Sequence, residues 1–239
     1  MYDYFLFLLI LLPFIALSAW ASAKVNSTYS KFDGVPNSSN MTGYDTAVRL
    51  LRKNGVTDIS VNRISGRLTD HYHPTKKQVN LSQSTFGSAS VAAVAVAAHE
   101  IGHVMQKKKG YLPYKIRTAL VPAANIGSRL AVPLIFIGIL LYILFYASPL
   151  YIGQWFMYIG IALYSFSMLF MLVTLPVEFD ASRRAKQMLV AEGILTENEL
   201  GGAKKVLSAA AMTYVASMLI SLIYFLRYLL IVLSFTRKR

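Results

Sequence analysis

The stretch Ser90–Gly110, SVAAVAVAAHEIGHVMQKKKG, decides how the rest of the chain is read. Ser90 is a helix-capping residue type, the eight small apolar residues that follow contain no breaker, and Gly110 is a stop signal. The segment therefore predicts one helix from Ser90 to near Gly110. His99 and His103 stand four apart, which places them about 40° apart around the helix axis, so both imidazoles can reach one metal ion. Glu100 lies beside them, where it can hold and deprotonate a water, completing the H-E-x-x-H arrangement. With four His and five Glu in the chain, this spacing arises by chance in about one such sequence per thousand. Two histidines and a glutamate satisfying one another on an ordinary helix is the plain alternative. Against it, an apolar helix that carries all three buries polar groups in need of a strong partner, and zinc is that partner.

A catalytic zinc usually takes three protein ligands and keeps a fourth position for water. The chain has no cysteine, so the third ligand must be His71, His73 or a downstream carboxylate. An apolar run ends at Pro176, and Glu178-Phe179-Asp180 follows at once. Glu178 is the expected third ligand and Asp180 the reserve; a charged helix N-terminus is the other reading of the pair. Glu192, Glu197 and Glu199 read as solvated or capping residues.

Outward from this centre, 55% of the 239 residues are hydrophobic and only 15% charged, and the apolar residues are clustered, which excludes an ordinary soluble protein. Apolar runs occupy residues 4–20, 118–147 (broken by Pro122, Arg129 and Pro133), 150–175 and 206–235 (containing Arg227). Helices of about 20 apolar residues cross a bilayer because they satisfy their own backbone. Ala21-Ser22-Ala23 resembles a signal cleavage site, but Asp3 precedes the first run and Lys24 follows it, the charge order of an uncleaved anchor with its N-terminus outside. Residues 24–117 hold 14 of the 24 Lys and Arg against five acids, and residues 177–205 hold five more, which assigns both segments to the cytoplasm. The uncharged Ser148-Pro149 link falls outside. The net charge of +13 is explained by this topology, and without a stacking motif or recognition helix nucleic acid is excluded as a partner.

The expected fold class is an α+β membrane protein, mostly helical, with about four membrane helices and a small zincin-like domain built from a short antiparallel sheet and the active-site helix. Its expected parts are an anchor (1–23), the cytoplasmic zincin-like domain (24–117), a transmembrane hairpin (118–176), a cytoplasmic helical segment (177–205) and a C-terminal helix (206–239). That last helix either spans or lies in the interface, and ends in Arg237-Lys238-Arg239. Within the zincin-like domain, residues to Asn40 read as loop, and Thr42 with Asp45 forms a capping box for a helix stopped at Gly55. Strands over 57–64, 67–73 and 78–82 read as an antiparallel meander. Gln78, Val79, Asn80, Leu81 and Ser82, directly before the active-site helix, are expected to form an edge strand onto which an extended peptide can add; an ordinary sheet strand is the alternative. His71 and His73 share one strand face, as an accessory metal site or as surface histidines. Thr196 and Glu199 predict a second capping box and Gly193 a helix stop.

AHEIGHVMQ (98–106), DHYHP (70–74), VNLS (79–82) and EFDASRRA (178–185) together resemble the family of bacterial membrane proteins described as putative neutral zinc metallopeptidases. The resemblance covers nearly the whole chain. More distantly the chain is similar to integral-membrane gluzincins of the HtpX type, whose third ligand lies in an E-x-x-A-D-x-x-A helix after a transmembrane hairpin. Glu178, Ala181 and Ala185 match that pattern, and Ser182 stands where those proteases carry Asp. The resemblance implies one Zn2+ held by His99, His103 and Glu178, and a peptide or membrane-protein substrate. Zinc would acidify a water and polarise the scissile carbonyl, with Glu100 taking the proton and returning it to the leaving amine. Arg184, Arg183 and Tyr72 are candidates for the oxyanion and Asp180 for a supporting role. The expected protein is a multi-pass cell-membrane zinc metallopeptidase with its active site facing the cytoplasm. The competing readings are an intramembrane protease of the site-2 kind, with an aspartate as third ligand, and a non-enzymatic metal-binding scaffold.

Overall fold

The structure, a computed structural model, describes residues 2–145 and 151–236. Ser148-Pro149 and the basic tail Arg237-Lys238-Arg239 lie outside the described residues. The elements follow in the order α1 (Tyr2–Asp33), α2 (Gly43–Lys53), β1 (Ser60–Ile64), β2 (His71–His73), β3 (Gln78–Ser82), α3 (Gln83–Phe86), α4 (Val91–Lys108), α5 (Leu112–Leu144), α6 (Ile152–Ala191) and α7 (Glu197–Thr236). The fold is a mostly helical α+β membrane protein, and α1, α5, α6 and α7 are each long and apolar enough to cross a bilayer.

The chain forms two compact units. One contains Met1–Leu17, Lys115–Thr174 and Tyr214–Arg239. Its core gathers Ile135, Met157 and Val232. Gly138 and Gly153 let α5 and α6 touch backbone to backbone, since a Cβ at Gly153 would meet Gly138 O at 2.6 Å. Phe136, Trp155 and Leu230 remain more than 60% exposed, as lipid-facing side chains do.

The other unit contains Ser18–Tyr114 and Leu175–Thr213 and holds every residue of the candidate site. Its centre is α4, whose residues are buried around nearly the whole circumference, the pattern of a core helix. Leu50 of α2, Leu81 of β3 and Leu189 of α6 pack in one cluster with Val94 and Ile101 of α4. The capping expectations hold. Thr42 and Asp45 cap α2 reciprocally, Thr196 and Glu199 cap α7, and Ser90 Oγ accepts from Ala93 N at the start of α4. Gly193 follows the end of α6 with φ +61°.

Three expectations are corrected. The loop expected before Asn40 is helix as far as Asp33; Tyr29 is fully buried against Ala92 and Val206, and tertiary burial outweighs the weak helix propensity of Ser and Asn. The apolar run ends at Pro176 but the helix does not, for α6 continues to Ala191, so Glu178 and Asp180 lie mid-helix and the alternative reading of the pair as a charged helix N-terminus falls. The sheet is not an antiparallel meander. Its order is β1-β3-β2, with β1 parallel and β2 antiparallel to β3. Gln78–Ser82 is therefore the central strand and not an edge. Its buried run from Val79 to Ser82 is that of a strand covered on both sides, whereas a solvated edge strand alternates.

Candidate metal centre

α4 supplies His99, Glu100 and His103, and α6 supplies Glu178. Along α6, Glu178, Ala181, Ser182 and Ala185 fall at i, i+3, i+4 and i+7, a single helical stripe. Ala181 and Ala185 are fully buried. Gly102 completes the fit, since a Cβ there would lie 2.6 Å from Ala181 O and 3.1 Å from its Cα. Small residues on both helices thus set the close approach that brings a carboxylate to the histidines.

Glu178 Oε2 lies 3.2 Å from His99 Nε2 and 3.6 Å from His103 Nε2. One ligand atom from each of the three residues falls within 4.8 Å of the others. Tetrahedral zinc with bonds of about 2.0–2.1 Å places its donors roughly 3.4 Å apart, so the donor set fits that ion. The Glu178 side chain is 3% exposed and the His103 side chain 10%, and a buried carboxylate among imidazoles calls for a cation.

The outward nitrogens are also held. His99 Nδ1 lies 3.2 Å from Ser182 Oγ, so the serine in the Asp position of the gluzincin pattern does reach the first histidine. His103 Nδ1 lies 3.0 Å from Gln106 Oε1, and Gln106 Nε2 donates to Val177 O at 2.7 Å and to Asp180 Oδ2 at 3.0 Å. Asp180 also accepts from Arg184 Nε at 2.6 Å and from Arg183. The reserve ligand is thus turned toward Gln106 and two arginines, and both arginines close on a carboxylate. Sequence reasoning gave Gln106 no role. Its signal is an amide three residues after His103 and seven after His99, on the helix face that carries both histidines, which once buried must find partners.

His71 is tied down, with Nδ1 donating to Thr69 O at 2.9 Å and Nε2 accepting from Asn80 Nδ2 at 3.0 Å. His73 Nδ1 accepts from Lys76 N. Neither joins the His99 cluster, which is the one metal-compatible group of three or more among the described residues. Tyr72 lies on β2, an edge of the sheet, and its backbone amide weakly favours the charged form of the Glu100 carboxyl. Burial pushes the Tyr72 phenol up to about 12.

Burial also pushes the Glu100 carboxyl up to about 7 in the metal-free protein; His99 pulls it down, and Glu178 and Asp70 push it up. The folded protein therefore binds this proton more tightly than the unfolded chain does. Stability from the neutral carboxyl is complete below the ordinary glutamate range and is lost as pH rises toward 7. Metal-stripped wild type is expected to melt progressively lower between about pH 4.5 and 7, a slope that Glu100→Gln flattens in the same thermal scan.

The family model described as "Putative neutral zinc metallopeptidase" matches residues 7–233. The chain belongs to this family. "Putative membrane protease YugP" of Bacillus subtilis (strain 168) is 43% identical over 229 residues, covering 96% of this chain and 97% of the relative. No solved structure matches.

Proposed function

We propose that this family member is a membrane-anchored zinc metallopeptidase that hydrolyses peptide bonds on the cytoplasmic face of the membrane. The observation that carries the reading is the convergence of His99, His103 and Glu178 donor atoms beside the buried Glu100. His99, His103 and Glu178 would hold one zinc ion, which when bound would supply a Lewis acid for the attacking water and the scissile carbonyl. Glu100 would take a proton from the attacking water and deliver it to the leaving amine. Its buried position beside both histidines suits it to both transfers. Glu178, without a solvated position of its own, serves as ligand. β2 offers the sheet edge along which an extended peptide or an unfolded membrane-protein segment pairs.

The commitment of Asp180 to Gln106, Arg183 and Arg184 supports this reading over a site-2-type protease with an aspartate ligand. Glu100 supports it over a scaffold, which has no use for a buried glutamate beside a metal it does not ligate. The cytoplasmic assignment rests on the Lys and Arg of residues 24–117 and 177–205. The test is cleavage of casein, or autolysis, by the detergent-solubilised protein. Hydrolysis that a chelator stops and stoichiometric zinc restores is expected; zinc-loaded protein that cuts nothing contradicts the reading.

A further inference from the structure

Gln106 is fully buried, and an amide has one donating end and one accepting end. Its nitrogen lies against two groups that can only accept, the Val177 carbonyl at 2.7 Å and an Asp180 carboxylate oxygen at 3.0 Å. The flipped amide would set an oxygen against both, so its orientation is determined. Asp180 is held in turn by Arg184 at 2.6 Å and by Arg183, which keeps a full negative charge facing the amide nitrogen. Gln106 Oε1 is then the atom that meets His103 Nδ1, 3.0 Å away. An amide oxygen cannot donate, so Nδ1 must carry the proton. The nitrogen left to offer a lone pair is Nε2, the one on the Glu178 side of the ring.

We propose that Gln106 is the positioning residue of the metal centre: anchored by Val177 and Asp180, it fixes His103 as the Nδ1–H tautomer and aims its Nε2 at the ion. The inference rests on the zinc reading above. It explains why a polar residue occupies a fully buried position on α4, and why Asp180 and its two arginines lie close to the site without supplying a ligand. Partners that orient an imidazole in this way are worth about 10- to 100-fold in metal affinity.

The test uses the full-length protein in detergent. Zinc affinity is measured by competition with a chromophoric chelator, for wild type, for Gln106→Met, which keeps the volume, and for Gln106→Asn, which keeps an amide too short to bridge. Each variant is expected to raise the zinc Kd about 10- to 100-fold. A merely structural glutamine would lower the melting temperature of zinc-free and zinc-loaded forms alike and leave Kd unchanged, and that result overturns the inference. The wild type provides a reading that needs no variant. In long-range proton–nitrogen NMR of the zinc-loaded protein, His103 is expected to be ligated through Nε2 with a slowly exchanging Nδ1 proton; ligation through Nδ1 overturns the inference. Wild type that binds no zinc overturns the metal reading itself, whereas wild type that binds zinc beside unaffected Gln106 variants overturns the inference alone.

Discussion

Glu100→Gln is expected to lower peptide hydrolysis by a factor on the order of 10²–10⁴, the usual contribution of a positioned general base, while zinc content stays at the wild-type level. The substitution is isosteric. The buried position loses a group that burial already drives toward its neutral form. Folding is therefore preserved and the metal-stripped protein gains stability above pH 7, so lost activity cannot be attributed to unfolding. What disappears is the capacity to exchange a proton. Parallel zinc analysis and casein cleavage on both proteins check the outcome, and a Glu100→Gln protein that keeps its activity removes Glu100 from the mechanism.

The second large effect is expected at a residue with no chemistry of its own. In Gly102→Ala the new methyl meets the Ala181 carbonyl oxygen at 2.6 Å and the Ala181 Cα and carbonyl carbon at 3.1 Å. All three are backbone atoms in the middle of α6, so no side chain can turn aside and the helices must separate. Overpacking of this kind costs about 1–3 kcal/mol, and the separation moves Glu178, one turn from Ala181, away from the α4 histidines. A fall in melting temperature together with zinc loss is the expected pair of results. Gly201→Ala is the control. It adds a methyl to α7 with nothing within 4 Å, and helix propensity favours alanine there by up to about 1 kcal/mol. If Gly102→Ala behaves like Gly201→Ala, the close crossing of α4 and α6 does not set the site.

The contrast between these residues explains what could be read from the sequence. His99, Glu100 and His103 belong to one helix, and helical spacing is a local rule, so their arrangement follows from the chain order alone. The caps at Thr42, Ser90 and Thr196 are equally local. Glu178 lies 79 residues beyond His99 and was reached by the return of the chain after an apolar run and by family resemblance. The structure brings its carboxylate to 3.2 Å from His99 Nε2. Strand order was not legible. Three short strands joined by tight turns suggest neighbours in sequence, whereas β1 pairs with β3 in parallel, a long-range choice that burial of Val79 and Leu81 makes and no turn signal announces. Gln106 escaped notice for a related reason. A glutamine on an apolar helix means little until it is known to be buried against a carbonyl, a carboxylate and an imidazole.

Zinc stoichiometry of purified Glu178→Ala beside wild type tests the account at its centre, because Glu178 is the α6 residue whose donor atom meets those of the two α4 histidines. About one zinc per chain in wild type, and a loss of most of it in Glu178→Ala under the same dialysis, is the predicted result. Full zinc occupancy in Glu178→Ala would mean that the ion is held elsewhere, and would contradict the assignment of this site.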